Sequence, residues 1–250
     1  LKHPNLYVDE NIQKATDLLI TELRDEGYLR ANKILIDQKM SPNGTVDISV
    51  QINEGLLTQI RSIQFNGLKS FTSNQLYEVI DLKPNTPLNL KKILNSYNAL
   101  KQFYQKNGFL DYDITTPKEK LVSYLTDYEF ADLKYDMKEG PKIRVKDIQV
   151  RGNSKTKEKV ILRELDITEG DVLTSDLVTD SAIFLERTQL FSRAQINMSD
   201  VNTDIADRTV FVDVQEKNPG LVNSGLGLSN ERGITYRGYL GVSYKNLGGK

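Results

Sequence analysis

The sequence makes the same structural transition twice: a helical pattern ends at a glycine, and an aromatic residue and an extended run follow. It occurs in LRDEGYLRANKI, residues 23–34, and in YQKNGFLDYDI, residues 104–114. Gly27 and Gly108 are 81 positions apart. Glycine adopts the left-handed conformation that reverses a chain at a helix end. A recurrence at this spacing predicts repeated units of about 80 residues.

Other short signals recur at nearly the same spacing. An alternating strand closes with Glu-Gly at residues 54–55 and at residues 139–140, and a Gly follows the next short strand at positions 67 and 152. A third alternating strand ends at Glu216-Lys217 instead. The third copy also lacks the glycine of the helix-ending turn, although Phe191 supplies its aromatic residue. The order of these signals predicts a unit of strand, helix, helix, strand and strand.

The repeat divides the chain into four segments. Residues 1–57 form a partial unit with the second helix and the last two strands, residues 58–141 and 142–218 form complete units, and residues 219–250 follow them. Helical spacing gives the first helix one apolar face, and alternation gives one apolar face to the last strand of each complete unit. These faces comprise Ile12, Ala15, Leu19 and Leu23; Leu133, Tyr135 and Met137; and Val210, Val212 and Val214.

The last segment reads as a hairpin. LVNSGLGLS and GITYRGYLGVSY are extended stretches on either side of NERG, residues 230–233, which fits a turn. In the second stretch, apolar side chains alternate with small or polar ones over about ten residues, which is typical of a transmembrane β-barrel strand. An ordinary hairpin with one buried face shows the same alternation, so both interpretations stand at this point.

Composition excludes several kinds of chemistry. Lys and Arg number 33 against 34 Asp and Glu, so the net charge of −1 provides no general basic field for nucleic acid. Cysteine is absent and His3 is the only histidine, which excludes disulfides, thiolate sites and zinc clusters of several imidazoles. No run of about 18 apolar residues indicates a transmembrane helix.

Two near-motifs fail on inspection. Asp200, Asn202 and Asp204 have the spacing of a calcium loop, but Ile205 stands where that loop requires glycine. Asp111 and Asp113 could form a glycosidase pair, but nothing around them implies a cleft. The sequence therefore predicts no metal site, no cofactor and no enzyme.

The ordered signals resemble those of the POTRA (polypeptide-transport-associated) family. This resemblance implies an α+β fold of tandem β-α-α-β-β modules, each a three-stranded mixed sheet with two helices on one face. The junction VQEKNPG, followed by GLGLSNERG and NLGGK, resembles the passage from the last POTRA module into the barrel of BamA-like outer-membrane assembly factors. On that resemblance, residues 219–250 are the first hairpin of a truncated transmembrane β-barrel.

The resemblance also implies a function. The chain is expected to be a periplasmic arm at the outer membrane of a Gram-negative bacterium, attached through the missing barrel. It would bind unfolded outer-membrane proteins by adding their strands to a sheet edge, and it would dock accessory lipoproteins. Three alternatives remain: a TamA-like protein, another POTRA transporter that takes part in secretion, and a structural spacer that binds no client.

The edge strand of each module follows the helix-ending turn, and it is the expected client site. Its exposed residues could equally be solvated only. The expected binding residues are Asp111, Tyr112, Asp113, Ile114, Thr115, Thr116, Ala194, Gln195, Ile196, Asn197, Met198 and Ser199. Gly55, Gly140 and Pro141 are the expected hinge between modules. The isolated hairpin is expected to be disordered or to dimerise with the hairpin of another copy, because an open sheet edge cannot lie in lipid.

Overall fold

The computed structural model describes residues 8–42, 44–218, 220–229 and 235–244. The chain forms two compact units. The first holds the chain up to Phe103 together with Tyr112–Glu139, and the second holds Tyr104–Asp111 and everything from Gly140 onward. The predicted turn at residues 230–233 lies outside the described residues.

The first unit contains the partial repeat and most of the first complete one. Helix α3 begins in this unit and ends in the second. The elements are α1 (Asp9–Asp25), β1 (Asn32–Met40), β2 (Val46–Asn53), β3 (Gln59–Asn66), α2 (Ser73–Ile80), α3 (Leu90–Lys106), β4 (Asp113–Ile114), β5 (Val122–Tyr124) and β6 (Phe130–Lys138).

The second unit contains the last complete repeat and the terminal hairpin. Its elements are β7 (Arg144–Arg151), α4 (Glu158–Arg163), α5 (Ser175–Arg187), β8 (Phe191–Met198), β9 (Asp207–Glu216), β10 (Gly220–Ser229) and β11 (Thr235–Tyr244). The order of elements from β7 to β9 is strand, helix, helix, strand and strand, as the repeat predicts.

Each complete repeat builds a mixed sheet around its last strand. In the second unit the order is β7-β9-β8, with β7 parallel and β8 antiparallel to β9. The core of this unit joins α4, α5 and β9 through buried residues that include Ile161, Leu185 and Val212. In the first unit β3 is parallel to β6, and β4 and β5 are both antiparallel to it.

Each complete repeat contains the same backbone hydrogen bonds, and equivalent bonds lie 85 residues apart in the two repeats. Leu88 N–H donates to Thr58 O at 2.9 Å, and Leu173 N–H donates to Ile143 O at 3.0 Å. The same offset relates a second pair of bonds, Ile60 N–H to Thr86 O and Val145 N–H to Asp171 O. The internal repeat is therefore a repeat of geometry as well as of sequence.

In each complete repeat, the glutamate at the end of the last strand binds the loop that follows the first strand. The Glu139 carboxylate accepts hydrogen bonds from the amides of Lys69 and Ser70. Glu216 accepts from the amides of Lys155 and Thr156. Partial burial alone would raise the pKa of Glu216, but the hydrogen bonds from Thr156 and Ser154 lower it overall. These bonds give the recurring Glu a structural role.

The predicted apolar face of α1 is wrong in part. Thr16 and Ile20 are the buried residues of this helix, whereas Leu19 is 48% exposed. The Thr16 hydroxyl donates to the carbonyl of Ile12, one turn earlier, so that it loses no hydrogen bond on burial. The buried face is thus rotated away from Ala15 and Leu19, because a threonine satisfied by its own helix can take a core position.

The predicted outer strand of the first complete repeat is divided. The two-residue β4 and the three-residue β5 both pair with β6, and a turn of 3₁₀ helix at Lys118–Lys120 separates them. The Thr116 hydroxyl accepts a hydrogen bond from Asp136 N–H at 2.7 Å. This side-chain bond replaces a strand bond where the chain leaves the sheet.

The third repeat ends its second helix without glycine. Gln189 takes the left-handed conformation there, with φ of 62°, where Gly27 and Gly108 have φ of 107° and 91°. Phe191 is 1% exposed and packs in the core of the second unit, as expected for the aromatic residue of this turn. The turn therefore survives the loss of its glycine at the cost of backbone strain in Gln189.

The terminal segment forms an antiparallel two-stranded sheet. Strands β10 and β11 are ten residues each, and Val222 pairs with Val242 and Leu228 with Tyr236. The expectation that this hairpin is disordered in the isolated chain or pairs with the hairpin of another copy stays a prediction. The apolar side chains on this face are exposed; Leu226, for example, is 95% exposed.

A buried serine stands at the same position of both complete repeats but differs in its hydrogen bonds. Ser96 in α3 donates to Ile93 O and accepts a hydrogen bond from the Tyr135 hydroxyl at 2.8 Å. Burial raises the pKa of Tyr135 to about 12, so that the phenol stays protonated. The corresponding Ser181 in α5 is fully buried, and its hydroxyl has no hydrogen-bond partner among the described atoms. Val212 occupies the strand position of Tyr135, which explains the missing partner.

We expect Ser181→Ala to stabilise the second unit by about 1 kcal/mol, because it removes a buried hydroxyl that makes no hydrogen bond. Ser96→Ala is the matched control, and it should cost about 1–2 kcal/mol because Tyr135 then loses its acceptor. Urea denaturation followed by amide signals of each unit measures both changes. Equal destabilisation by the two substitutions would contradict the expectation.

Candidate strand-binding edges

Strand β8 is the edge of the sheet in the second unit. Among the described residues it pairs only with β9. Its side chains alternate, with Ala194 buried and Ile196 and Met198 half-buried, while Gln195 and Asn197 are exposed. The predicted residues 194–198 thus lie on one continuous edge strand. Ser199 follows the strand, and its amide donates to Thr209 O.

The hydrogen bonds at its two ends show which way the backbone of β8 faces. Ser199 N–H points toward the sheet, to Thr209 O at 2.9 Å. Ala194 N–H points away from β9 and donates to the Glu186 carboxylate at 3.1 Å. Backbone groups alternate along an antiparallel strand, so the N–H and C=O groups of Ile196 and Met198 also face away from β9. Glu186 therefore caps one end of the outward edge.

A groove runs beside this edge. Its volume is about 340 Å³, and its apolar lining includes Leu110, Leu173, Val178, Ile196 and Met198. All of these residues belong to the second unit. A strand paired with β8 would place every second side chain over this groove, because successive side chains point to opposite faces.

The residues predicted in the first complete repeat are placed differently. Asp113 and Ile114 form the short β4, and Thr115 N–H donates to Asp136 O. Asp111 and Tyr112 are 8% and 3% exposed and precede the strand, because both are used in packing. Thr116 is 6% exposed, and its carbonyl accepts a hydrogen bond from the Tyr97 hydroxyl. This edge is therefore short and largely occupied by its own chain.

The predicted hinge residues lie against the helix-ending turns. Gly55 and Gly140 have φ of 74° and 70°. A methyl group at Gly55 would lie 3.2 Å from Cβ of Arg30, and one at Gly140 would lie 3.2 Å from Cβ of Asp111. The chain passes from the first compact unit to the second between Glu139 and Gly140.

A buried ion pair escaped prediction. The Arg208 guanidinium is fully buried and binds the Asp111 carboxylate, which also accepts the Asn202 N–H at 2.9 Å. Arg208 further donates to the carbonyls of Thr203 and Ile205. One signal was available in the sequence: Arg208 stands in phase with the inward-facing Val210, Val212 and Val214. A charged residue on an apolar face requires a buried partner.

In the described part of the chain, no group of three or more His, Cys, Asp or Glu side chains is arranged to hold a metal ion. No described helix is both long and apolar enough to cross a membrane.

The β-α-α-β-β order of elements, with a mixed sheet built around the last strand, recurs in both complete repeats. The family model described as POTRA, surface antigen variable number repeat, matches residues 58–140 and 143–217. The chain belongs to the POTRA family.

Two relatives of this chain are named as outer membrane protein assembly factors. The outer membrane protein assembly factors BamA of Buchnera aphidicola and Nitratidesulfovibrio vulgaris are 24% and 25% identical over 71% and 88% of this chain. The matches span only 30% and 28% of those relatives' own lengths. These matches confirm the resemblance to the POTRA region of a BamA-like assembly factor. Neither relative is named as an enzyme.

A solved structure supports the fold. The crystal structure of BamA from Haemophilus ducreyi lacking POTRA domains 1–3 matches with a TM-score of 0.58 and 20% identity. The match covers 76% of this chain and 35% of that one. At this identity the likeness concerns the fold, and it agrees with the α+β architecture described above.

Proposed function

We propose that this chain is the periplasmic arm of an outer-membrane β-barrel assembly protein, and that β8 binds client strands by β-augmentation. The observation that carries this proposal is the outward backbone of Ile196 and Met198 beside an apolar groove. Backbone hydrogen bonds provide affinity with little demand on client sequence, and the groove favours a strand with apolar residues at alternate positions. Strands of outer-membrane barrels have this alternation.

The sheet edge of the first complete repeat supports client binding less well. Its outer strand is divided into β4 and β5, and the residues around them form hydrogen bonds within their own chain. Asp113, Ile114 and Thr115 are the part of the predicted site that remains in or next to a strand. We therefore place the principal client site on β8 and treat residues 113–115 as a secondary one.

An amide NMR titration of the labelled chain with a peptide from an outer-membrane barrel strand tests the proposal. We expect the largest shifts at Ile196 and Met198, with smaller shifts at Gln195 and Asn197, whose backbone faces β9. The matched control is the same peptide N-methylated at successive residues, so that neither of its edges can pair with β8. If the folded chain shows no shifts in β8 at millimolar peptide, the spacer interpretation replaces client binding.

A variant refines the same experiment. Glu186 occupies the outward amide of Ala194, so Glu186→Ala should free that amide and extend the shifted region toward Ala194. Glu186→Gln is the control, because its side-chain carbonyl still accepts the hydrogen bond. An identical shift pattern in the two variants would show that the edge does not extend to Ala194.

The remaining features of the proposal follow from the BamA-like resemblance. The hairpin β10–β11 would begin the transmembrane barrel, and its exposed apolar face would meet lipid. In the isolated chain the same face could pair two copies, which the sedimentation of the chain with and without residues 219–250 would test. Accessory lipoproteins, unfolded outer-membrane proteins and the outer membrane are the proposed partners; a TamA-like or secretion role is the second candidate.

A further inference from the structure

The helix-ending turns of successive repeats carry opposite charges at the same place. Arg30 and Asp111 each follow the glycine of the turn by three positions, and each packs against the Gly of a Glu-Gly pair. We name residues 27–31 and 108–112 the docking turns. Arg30 and Asp111 therefore occupy the same structural position in successive repeats but carry opposite charges.

Both docking turns contact the next repeat through the same backbone bond. Gly27 O accepts from Thr58 N–H at 3.0 Å, and Gly108 O accepts from Ile143 N–H at 2.9 Å. The first contact lies within the first compact unit and the second within the second unit. Backbone bonds alone would therefore let either turn dock on either repeat.

The charged side chain of each docked turn meets one group of the opposite sign. The Arg30 guanidinium lies 3.3 Å from the Asp127 carboxylate and 5.1 Å from the centre of the Tyr128 ring. The Asp111 carboxylate binds Arg208 and the Asn202 amide. In both cases the partners lie in the loop before the last strand or at its start. We name residues 127–129 and 200–208 the receiving loops.

We propose that this charge reversal specifies which docking turn each receiving loop accepts, so that the repeats of this chain dock in one order. The partner that Asp127 or Arg208 fits is a turn of this same chain whose charged side chain has the opposite sign. Exchanging the turns would place Arg30 against Arg208 and Asp111 against Asp127. Like charges then meet in both wrong pairings, and Arg208 would also remain buried without a carboxylate.

Repeats that share a fold need such discrimination while they fold. Neighbouring repeats present similar backbone surfaces, and incorrect assembly of such modules is a characteristic failure of repeat proteins. Opposite charges at one position supply both an attractive element for the right pair and a repulsive one for the wrong pair. The two pairs differ in burial: Arg208 is fully buried, whereas Arg30 and Asp127 are exposed.

Hydrogen exchange of two amides in the full chain tests the proposal. Ile143 N–H reports docking of the second turn and Thr58 N–H reports docking of the first. Asp111→Arg should raise the exchange rate of Ile143 by about tenfold or more, clearly beyond Asp111→Asn, because reversal adds repulsion to the lost attraction. The Thr58 amide of the same molecule should stay unchanged, which makes it the internal control.

Restoring complementarity should restore docking. The double variant Asp111→Arg with Arg208→Asp should recover most of the protection of Ile143. The double variant Arg30→Asp with Asp127→Arg makes the same charge exchange at an exposed pair, where the substitutions should not prevent folding. The exchange rate of the Thr58 amide reports its docking. Equal exchange in Asp111→Asn and Asp111→Arg, with no recovery in either double variant, would overturn the proposal and leave both pairs as stabilising contacts without specificity.

Discussion

Asp111→Ala is expected to lower the free energy of unfolding of the second unit by about 3–5 kcal/mol, the usual cost of removing one partner from a buried ion pair. The Arg208 guanidinium has no exposed surface, and the Asp111 side chain is 4% exposed. Removing the carboxylate leaves a buried positive charge without its counter-ion and the Asn202 amide without its acceptor. Urea unfolding followed by amide signals of β9 measures the loss.

The matched control is Asp113→Ala, two residues away. Asp113 is exposed on β4, so its removal should change stability by less than about 0.5 kcal/mol. The double variant Asp111→Ala with Arg208→Met should be more stable than Asp111→Ala alone, because it removes the stranded charge. A loss below about 1 kcal/mol in Asp111→Ala would mean that water reaches Arg208 and that the pair is not buried in solution.

Gly152→Ala is expected to destabilise the second unit by about 3 kcal/mol, by adding a steric clash to backbone strain. Gly152 has φ of 85°, and a methyl group there would lie 2.1 Å from the carbonyl oxygen of Val214. Because that oxygen belongs to the backbone of β9, it cannot move without disturbing the sheet. A methyl group at Gly67 would lie 2.2 Å from the carbonyl oxygen of Met137 in the first unit, so Gly67→Ala should behave alike.

Gly170→Ala separates the two contributions. Gly170 has φ of 90°, but nothing lies within 4 Å of an added methyl group, so only backbone strain of about 1–2 kcal/mol remains. The difference between the Gly152 and Gly170 variants in urea unfolding then measures the clash with Val214. If the two variants lose the same stability, Gly152 does not lie close to the carbonyl oxygen of Val214.

The repeat and its order of elements could be predicted because they depend on consecutive residues. Alternation placed Leu133, Tyr135 and Met137 on a buried face, and all three are buried. Thr72 and Gln75 stand three residues apart, which is the spacing of a capping box, and they form a complete one at the start of α2. The four-segment division of the chain at residues 57, 141 and 218 stays a prediction.

Features that depend on local competition were harder to predict. The buried face of α1 includes Thr16 because its hydroxyl finds the Ile12 carbonyl, which hydropathy alone does not show. The outer strand of the first complete repeat is divided because Thr116 bonds to Asp136 where the strand would otherwise continue. In both cases a side-chain hydrogen bond changed the pattern that apolar periodicity indicated.

The client edge was predicted in part. Ala194–Met198 lies on an edge strand, but the cap that Glu186 places on Ala194 and the groove beside Ile196 involve α5 and α3 as well as β8. Asp111 was expected on the exposed edge strand that follows the helix-ending turn. Its true partner, Arg208, is 97 positions away along the chain.

By itself, the sequence determined what this chain repeats: where each turn needs glycine, which strands have one apolar face and which glutamate closes them. Those features are properties of neighbouring residues and of backbone conformation. The tertiary structure alone decided that Asp111 is buried against Arg208 and that Glu186 caps the outward amide of Ala194. A buried charge must be neutralised by whatever group the fold brings within hydrogen-bonding distance, and that choice is made by packing rather than by spacing along the chain.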